Sequence, residues 1–421
     1  MVGQRIRYYR KTKGLTQEEL AQGICSVSYL SKIEKGDAKS SEEVINLLCE
    51  RLGISPEEVD SNEILELLNE WNMLMVNRRF EEADDFFEKV QEKMQIVNEP
   101  ELILRFEIFS ARYHITKEKP DAVAAQNLLS KVESLKEQLN SELNFYFNLT
   151  SGSLNILQNN YQLSIKFFKK AEEIYNNSSN NINDSNVALL YYFTALSYGY
   201  LMRISAVNSY AFKAIAIFDK EYNYSRSADC QILLAISYRR VQNYEQAIFH
   251  LNQALKYSTS FHDDFTSGVI YHNLGYVFSC RREHVKAIEH FKKALRYKEK
   301  SLDPERITTT TFLLAQEYFN INDLDQAEYW INKSFETLGD DTNNDIYYHL
   351  KVLDFRVKGT NSEEFDTFIS KEAIPHFEKR NMWEYVSLHS ELLADFYFDQ
   401  SQYKKASHYY RIANNARKNI F

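Results

Sequence analysis

Apolar residues recur along this chain at helical spacing in paired blocks, and small residues punctuate the pairs at fixed offsets. The clearest pair carries Leu274, Gly275, Phe278, Ala287, Phe291 and Ala294. The same offsets recover Leu234, Ala235, Tyr238, Ala247, Leu251 and Ala254, then Leu314, Ala315, Tyr318, Ala327, Ile331 and Ser334, then Leu393, Ala394, Tyr397, Ala406, Tyr410 and Ala413. Weaker copies centre on Trp71 with Ala83 and Phe87, on Gly152 with Ser164, Phe168 and Ala171, and on Ala195, Tyr198, Ala211 and Ala214. Each copy predicts two antiparallel helices whose apolar face a single hairpin cannot bury, so that hairpins must stack. Small residues at Gly275 and Ala287 let the two helices approach, and Phe278 and Phe291 fill the space around them. The markers at 247, 287 and 327 are 40 residues apart, and 406 lies 79 further on. Two double-length gaps leave room for degenerate copies near 101–139 and 346–380, which makes about nine units after residue 61.

The first 53 residues follow a different rhythm, that of four short helices. Ile6 and Tyr9 share one face of the first helix, which Gly14 ends. Thr16 caps the second, with Glu19 completing a capping box, and that helix buries Leu20 and Ala21. The turn Gly23, Ile24, Cys25 leads to Ser26, which caps a third helix carrying Leu30 and Ile33 and stopped by Gly36. Ser40 or Ser41 caps the fourth, where Val44, Leu47, Leu48 and Leu52 close a small core. A connection follows in which Ser55 caps a turn opened by Pro56, and Ser61 or Asn62 caps the next helix. This segment has few repeat contacts, so we expect it to be the element that a ligand reorients.

Composition changes the picture in three ways. Of 421 residues, 44% are hydrophobic and 14% aromatic, with only five prolines and eleven glycines, which fits an all-α globular chain. The net charge of −9 argues against a nucleic-acid binder until it is divided. Residues 1–53 hold nine Lys and Arg against seven Asp and Glu, an excess of two, while the remainder is −11. Only the N-terminal piece suits phosphate, and a dimer is the expected remedy for so small a surplus. The cysteines, Cys25, Cys49, Cys230 and Cys280, form no C-x-x-C and fit a reducing cytoplasm. In its turn Cys25 reads as apolar filling rather than a redox sensor. No apolar run approaches the roughly 18 residues of a membrane span.

Catalytic chemistry is not legible. There is no G-x-x-x-x-G-K-[ST], G-x-G-x-x-G or H-E-x-x-H, the ten histidines are scattered, and neighbouring carboxylates such as Asp84 and Asp85 diverge on a helix. We expect no enzyme, no cofactor and no metal.

The segments RIRYYRKTKGLTQEELA, SYLSKIEKG and LLCERLGIS resemble the Xre/Cro-type helix-turn-helix, although the turn before the third helix is one residue shorter than in the phage repressors. The resemblance implies that Gln17 meets a DNA phosphate, that Ser26, Val27, Ser28 and Lys32 meet base edges, and that Arg10 and Glu34 form a pair tying the first helix to the third. The repeats resemble tetratricopeptide units, whose period is about 34, so the surplus requires longer helices or connections. The expected fold is an N-terminal helix-turn-helix domain, residues 1–60, followed by a right-handed superhelix of about nine tetratricopeptide-like repeats, residues 61–421.

Together these parts resemble the PlcR and NprR group of peptide-receptor regulators in the Rap, Rgg, NprR, PlcR and PrgX superfamily. That resemblance implies a cytoplasmic homodimer that binds double-stranded DNA and is controlled by a short signalling peptide bound to the repeats. In the tetratricopeptide frame, Tyr192, Arg239, His272, Tyr276, Phe312 and Gln316 point from first helices into the groove, with Asn273 and Asn320 beside them. Asn and Gln both donate and accept and suit peptide backbone, Arg239 suits a carboxylate, and aromatics make apolar pockets. The alternatives are a repeat scaffold for a partner protein such as a response regulator, as in the Rap branch, and a phage lysogeny regulator of the same architecture.

Overall fold

The computed structural model describes residues 2–38, 40–54, 61–117, 119–177, 182–301, 304–339, 342–359 and 363–419. Among them there is no β-strand. The head has four helices, α1 Val2–Thr12, α2 Gln17–Ala21, α3 Val27–Lys35 and α4 Glu42–Leu52. Their ends follow local chemistry: Thr16 and Glu19 form the capping box, while Ser26 accepts from the Tyr29 amide and Ser41 from that of Val44. Gly36 and Gly53 stop α3 and α4 in the left-handed conformation. Ile6, Leu20, Leu30, Leu48 and Leu52 are fully buried. Gly3 permits this closeness, because a Cβ there would fall 1.9 Å from the Ile33 carbonyl oxygen.

Two details correct the pattern reading. Leu47 does not join the core; it is 41% exposed, since Val44, Leu48 and Leu52 advance by four along one face and 47 lies a hundred degrees away. Tyr8, not singled out by its spacing, is 3% exposed and packs into the core of the first repeats rather than that of the head. The proposed cap at Ser55 and the turn at Pro56 lie outside the described residues. The next helix already includes Ser61 and Asn62, so neither is its cap.

The chain divides into two compact units, Met1–Val241 and Gln242–Phe421. After the head, the first contains α5 Ser61–Val76, α6 Phe80–Met94, α7 Pro100–Thr116, α8 Ala122–Glu133, α9 Ser141–Leu157, α10 Tyr161–Asn177, α11 Asp184–Tyr200, α12 Ile204–Lys220 and α13 Tyr224–Arg240. The second contains α14 Tyr244–Ser260, α15 Asp264–Cys280, α16 His284–Ser301, α17 Pro304–Asn320, α18 Leu324–Leu338 and α19 Asp345–Val357. It continues through α20 Glu363–Phe368, a π-helical turn Ile369–Ala373, α21 Ile374–Lys379, α22 Trp383–Asp399 and α23 Tyr403–Lys418. Taking α20 and α21 together, the described helices after the head make nine pairs in sequence. The degenerate copies are there too, as α7 with α8 and as α19 with α20 and α21.

The surplus over a 34-residue unit lies in the helices. Most run to 17 residues, and the connections inside pairs are as short as three, as at 201–203 and 281–283. Each such turn uses one residue with positive φ, among them Asn159, Met202, Arg282, Asn322 and Ser401, although none is glycine. The reward is a Schellman-type bond that satisfies a helix-end carbonyl, for example Arg203 N–H to Tyr198 O at 2.9 Å and Gln402 N–H to Tyr397 O at 2.8 Å. Glycine appears instead where helices touch. A Cβ on Gly152 would lie 2.2 Å from the Phe168 ring, and one on Gly275 2.6 Å from that of Phe291, the same sixteen-residue offset in both units.

Candidate DNA and peptide interfaces

Helix α3 turns Leu30, Ile33 and Glu34 inward and leaves Val27, Ser28 and Lys32 exposed. Its orientation is locked by Glu34, only 3% exposed, whose carboxylate accepts from Arg10 Nε at 2.6 Å and Nη2 at 2.9 Å. A third bond comes from Gln17 Nε2 at 2.8 Å, while Arg10 Nη1 donates to the Leu15 carbonyl at 2.9 Å. A buried bidentate pair of this kind is geometrically specific, so α1, α2 and α3 are held in one register. Gln17 therefore has one amide hydrogen committed to Glu34, and its nitrogen carries a second. Ser26 is committed as well, accepting from the Tyr29 amide at 3.2 Å with Ser28 Oγ also 3.2 Å away. The structure thus divides the five nominated residues: Val27, Ser28 and Lys32 are presented outward, Ser26 builds the helix start, and Gln17 joins the locking network. Burial raises the Cys25 thiol pKa, which disfavours the reactive thiolate.

The head is fastened to the repeats of its own unit through α1. Tyr8 is buried among them, Tyr9 Oη donates to Asn98 Oδ1 at 3.4 Å, and Glu137 pairs with Lys11 at 3.1 Å and Arg7 at 3.7 Å. The exposed ion pairs contribute little individually, so Tyr8 is the main anchor.

The nominated peptide residues fall in both units. In the first, Tyr192 is half-buried beside Arg78, Arg226 and Asp229, and Arg239 is half-buried near the end of α13. In the second, His272 Nδ1 lies 3.1 Å from Thr310 Oγ1, and Asn273 Nδ2 donates to the Val269 carbonyl of its own helix at 2.9 Å. Phe312 stacks on His349 with ring centres 5.8 Å apart. Tyr276 and Asn320 are exposed and Gln316 half-buried. Tyr276 is close enough to Tyr385 of α22 to raise its phenol pKa, after burial and Glu384.

Pattern reading missed the row that continues from Phe312, His349 and His389, whose ring nitrogens are 3.0 Å apart. Burial holds His349 down to about 4 and His389 down to about 3, so both are neutral near pH 7. The signal was available: 272 to 312 and 349 to 389 are both one 40-residue period. The degenerate copy that contains α19 hides it. Among the described residues no cluster of three or more His, Cys, Asp or Glu could hold a metal ion, and no helix is long and apolar enough to cross a membrane.

Comparison with known proteins agrees with both halves. Residues 6–59 match a helix-turn-helix family model. The transcriptional activator NprA of Geobacillus stearothermophilus is 34% identical over 413 residues, spanning 95% of this chain and 99% of that protein. The apo form of the quorum sensor NprR from B. thuringiensis superposes with a TM-score of 0.75 at 22% identity, covering 85% of this chain and 99% of the other. NprR in complex with its cognate peptide NprX gives a TM-score of 0.61 at 22% identity, covering 84% and 99%. Whole-length identity to NprA, with a helix-turn-helix head ahead of tetratricopeptide-like helical pairs, means that this chain belongs to the Rap/NprR/PlcR family.

Proposed function

We propose that this chain is a cytoplasmic transcriptional regulator that reads DNA as a homodimer through residues 1–60 and takes a short signalling peptide on residues 61–421, which also carry the dimer contact. The observation that carries this reading is the outward face of α3, held by the Arg10, Glu34 and Gln17 network in a chain alike over its whole length to a transcriptional activator. Peptide sensing is supported by the fold shared with the peptide-bound NprR. His272, Asn273, Tyr276, Phe312, Gln316 and Asn320 are the contacts proposed in the second unit; Tyr192 and Arg239 are those proposed in the first. Because α1 is packed on the repeats of its own unit, a change there can reach the head through Tyr8 as well as through the connection at 55–60.

The test has two parts. Selection from a random duplex library with the full-length protein should enrich a palindromic operator. Lys32→Ala should then lose about 1–3 kcal/mol at one position of each half-site, whereas Gln17→Ala should weaken all sequences evenly. Mass spectrometry of small peptides retained by the protein from its own cell extract should identify the ligand. Calorimetry with that peptide should then show weaker binding for Gln316→Ala and Arg239→Ala; unchanged affinity in both puts the pocket elsewhere.

A further inference from the structure

Among the described residues of the head, Val27 and Leu47 are the two large apolar side chains left exposed, at 43% and 41%. Val27 has no evident structural duty. It is the first residue of α3, directly after the capping Ser26, a position that plays no part in the staple between the residue before a cap and the fourth helical residue. A β-branched side chain there is not a favourable helix former either. Its neighbours on the outward face, Ser28, Ser31, Lys32 and Lys35, are small, polar or cationic. One apolar group at the start of a helix, followed by lysines further along the same face, matches the chemistry of a major-groove edge bordered by phosphate. Apolar side chains there read the 5-methyl group of thymine, and the first turn of a recognition helix is what approaches base edges.

We infer that Val27 is a specificity-determining residue that packs on a thymine 5-methyl group in each operator half-site. This rests on the DNA-binding reading above and deepens it: beside Ser26, whose hydroxyl accepts from the Tyr29 amide and keeps its own hydrogen to donate, Val27 supplies discrimination by shape and apolar contact. Lys32, one turn on, supplies the polar contact.

Replacing thymine by deoxyuridine removes only that methyl group. With the full-length protein and the operator enriched from the random library, each thymine is replaced in turn and affinity is followed by fluorescence anisotropy. Wild-type protein should lose affinity about three- to tenfold at one thymine per half-site. Val27→Ala should bind the thymine operator more weakly and show no further loss at that position, while Val27→Thr, which keeps a methyl, should retain the sensitivity. A flat scan on an enriched operator, or an equal loss in Val27→Ala, overturns the assignment to Val27 and leaves the DNA-binding reading standing. Failure to enrich any sequence overturns both.

Discussion

The two units are built from the same repeat, yet one buried polar cluster in each is made in a different way. In the first unit the end of α5 is joined to α13, and α7 to α11, through guanidinium groups. Arg226, 7% exposed, donates from Nε to the Val76 carbonyl at 2.7 Å and from Nη2 to that of Met75 at 3.2 Å, the open C-terminal end of α5 and the negative end of its dipole. Arg78 pairs with Asp229 at 3.0 Å, Asn223 donates to Asn77 at 2.8 Å, and Arg112 reaches Asn186 at 3.0 Å. Burial pushes the Arg112 pKa down to about 10, which still leaves it cationic at neutral pH. In the second unit the corresponding interior is a stack of rings: His349 lies 5.0 Å from Phe377 and 4.9 Å from His389, and Phe377 lies 5.3 Å from His389. Guanidinium groups stay charged and must keep their partners. The imidazoles of His349 and His389 are neutral near pH 7 and become a liability only in acid.

The contrast can be broken most directly at Arg226. Arg226→Ala leaves the Val76 and Met75 carbonyls without their buried donor while Asp229 keeps Arg78, and should destabilise the first unit by about 1–3 kcal/mol for each carbonyl. Urea unfolding followed through Trp71, which lies in that unit, should show the loss. Trp330 and Trp383, in the second, should report little change.

Acid should do the reverse. The folded pKa values of His349 and His389 lie below the unfolded value of about 6.5, so the unfolded state binds more protons as the pH falls. Stability from the pair is complete above about pH 6.5 and is lost from there down towards about 4. At pH 5.5 the second unit should be weaker by about 2–3 kcal/mol than at pH 7, read as a shift in its urea midpoint. His389→Phe should remove about half of that dependence, His349 supplying the rest, and a midpoint that does not move with pH in the wild type would refute the neutral pair.

The smallest effect tests what the units share. Gly152→Ala and Gly275→Ala each drive a methyl against a phenylalanine ring, an overpacking of about 1–3 kcal/mol, offset by about 1 kcal/mol of helix propensity. Both should lose stability, Gly152→Ala the more, because its contact is the shorter. Thermal unfolding of the two variants side by side gives the ranking.

Much of the head and the repeat period was legible because it is encoded locally. Thr16 with Glu19, Ser26, Ser41 and Gly36 act within a few residues of themselves, and the small and large positions of a hairpin lie on one helical face or the next. The Arg10 and Glu34 pair was legible through the resemblance. The candidate sites were legible only in outline. Exposure of a helix face can be read from spacing, but the commitment of Ser26 to a cap and of Gln17 to Glu34 depends on which hydrogen-bond partner wins.

By itself, then, the pattern of residues determined where helices start and stop, that they come in pairs, and which stripe of each is apolar, because these follow from interactions three or four residues apart. Tertiary structure alone decided that Tyr8 serves the repeats and not the head, that Arg226 closes on carbonyls some 150 residues earlier, and that two histidines one period apart share a hydrogen bond. An apolar stripe specifies that a face must be covered but not by what, since burial rewards area without direction. Partners distant in sequence are selected only when the stacked helices bring their polar groups within hydrogen-bonding distance, where leaving any one unpaired would cost more than the contact gains.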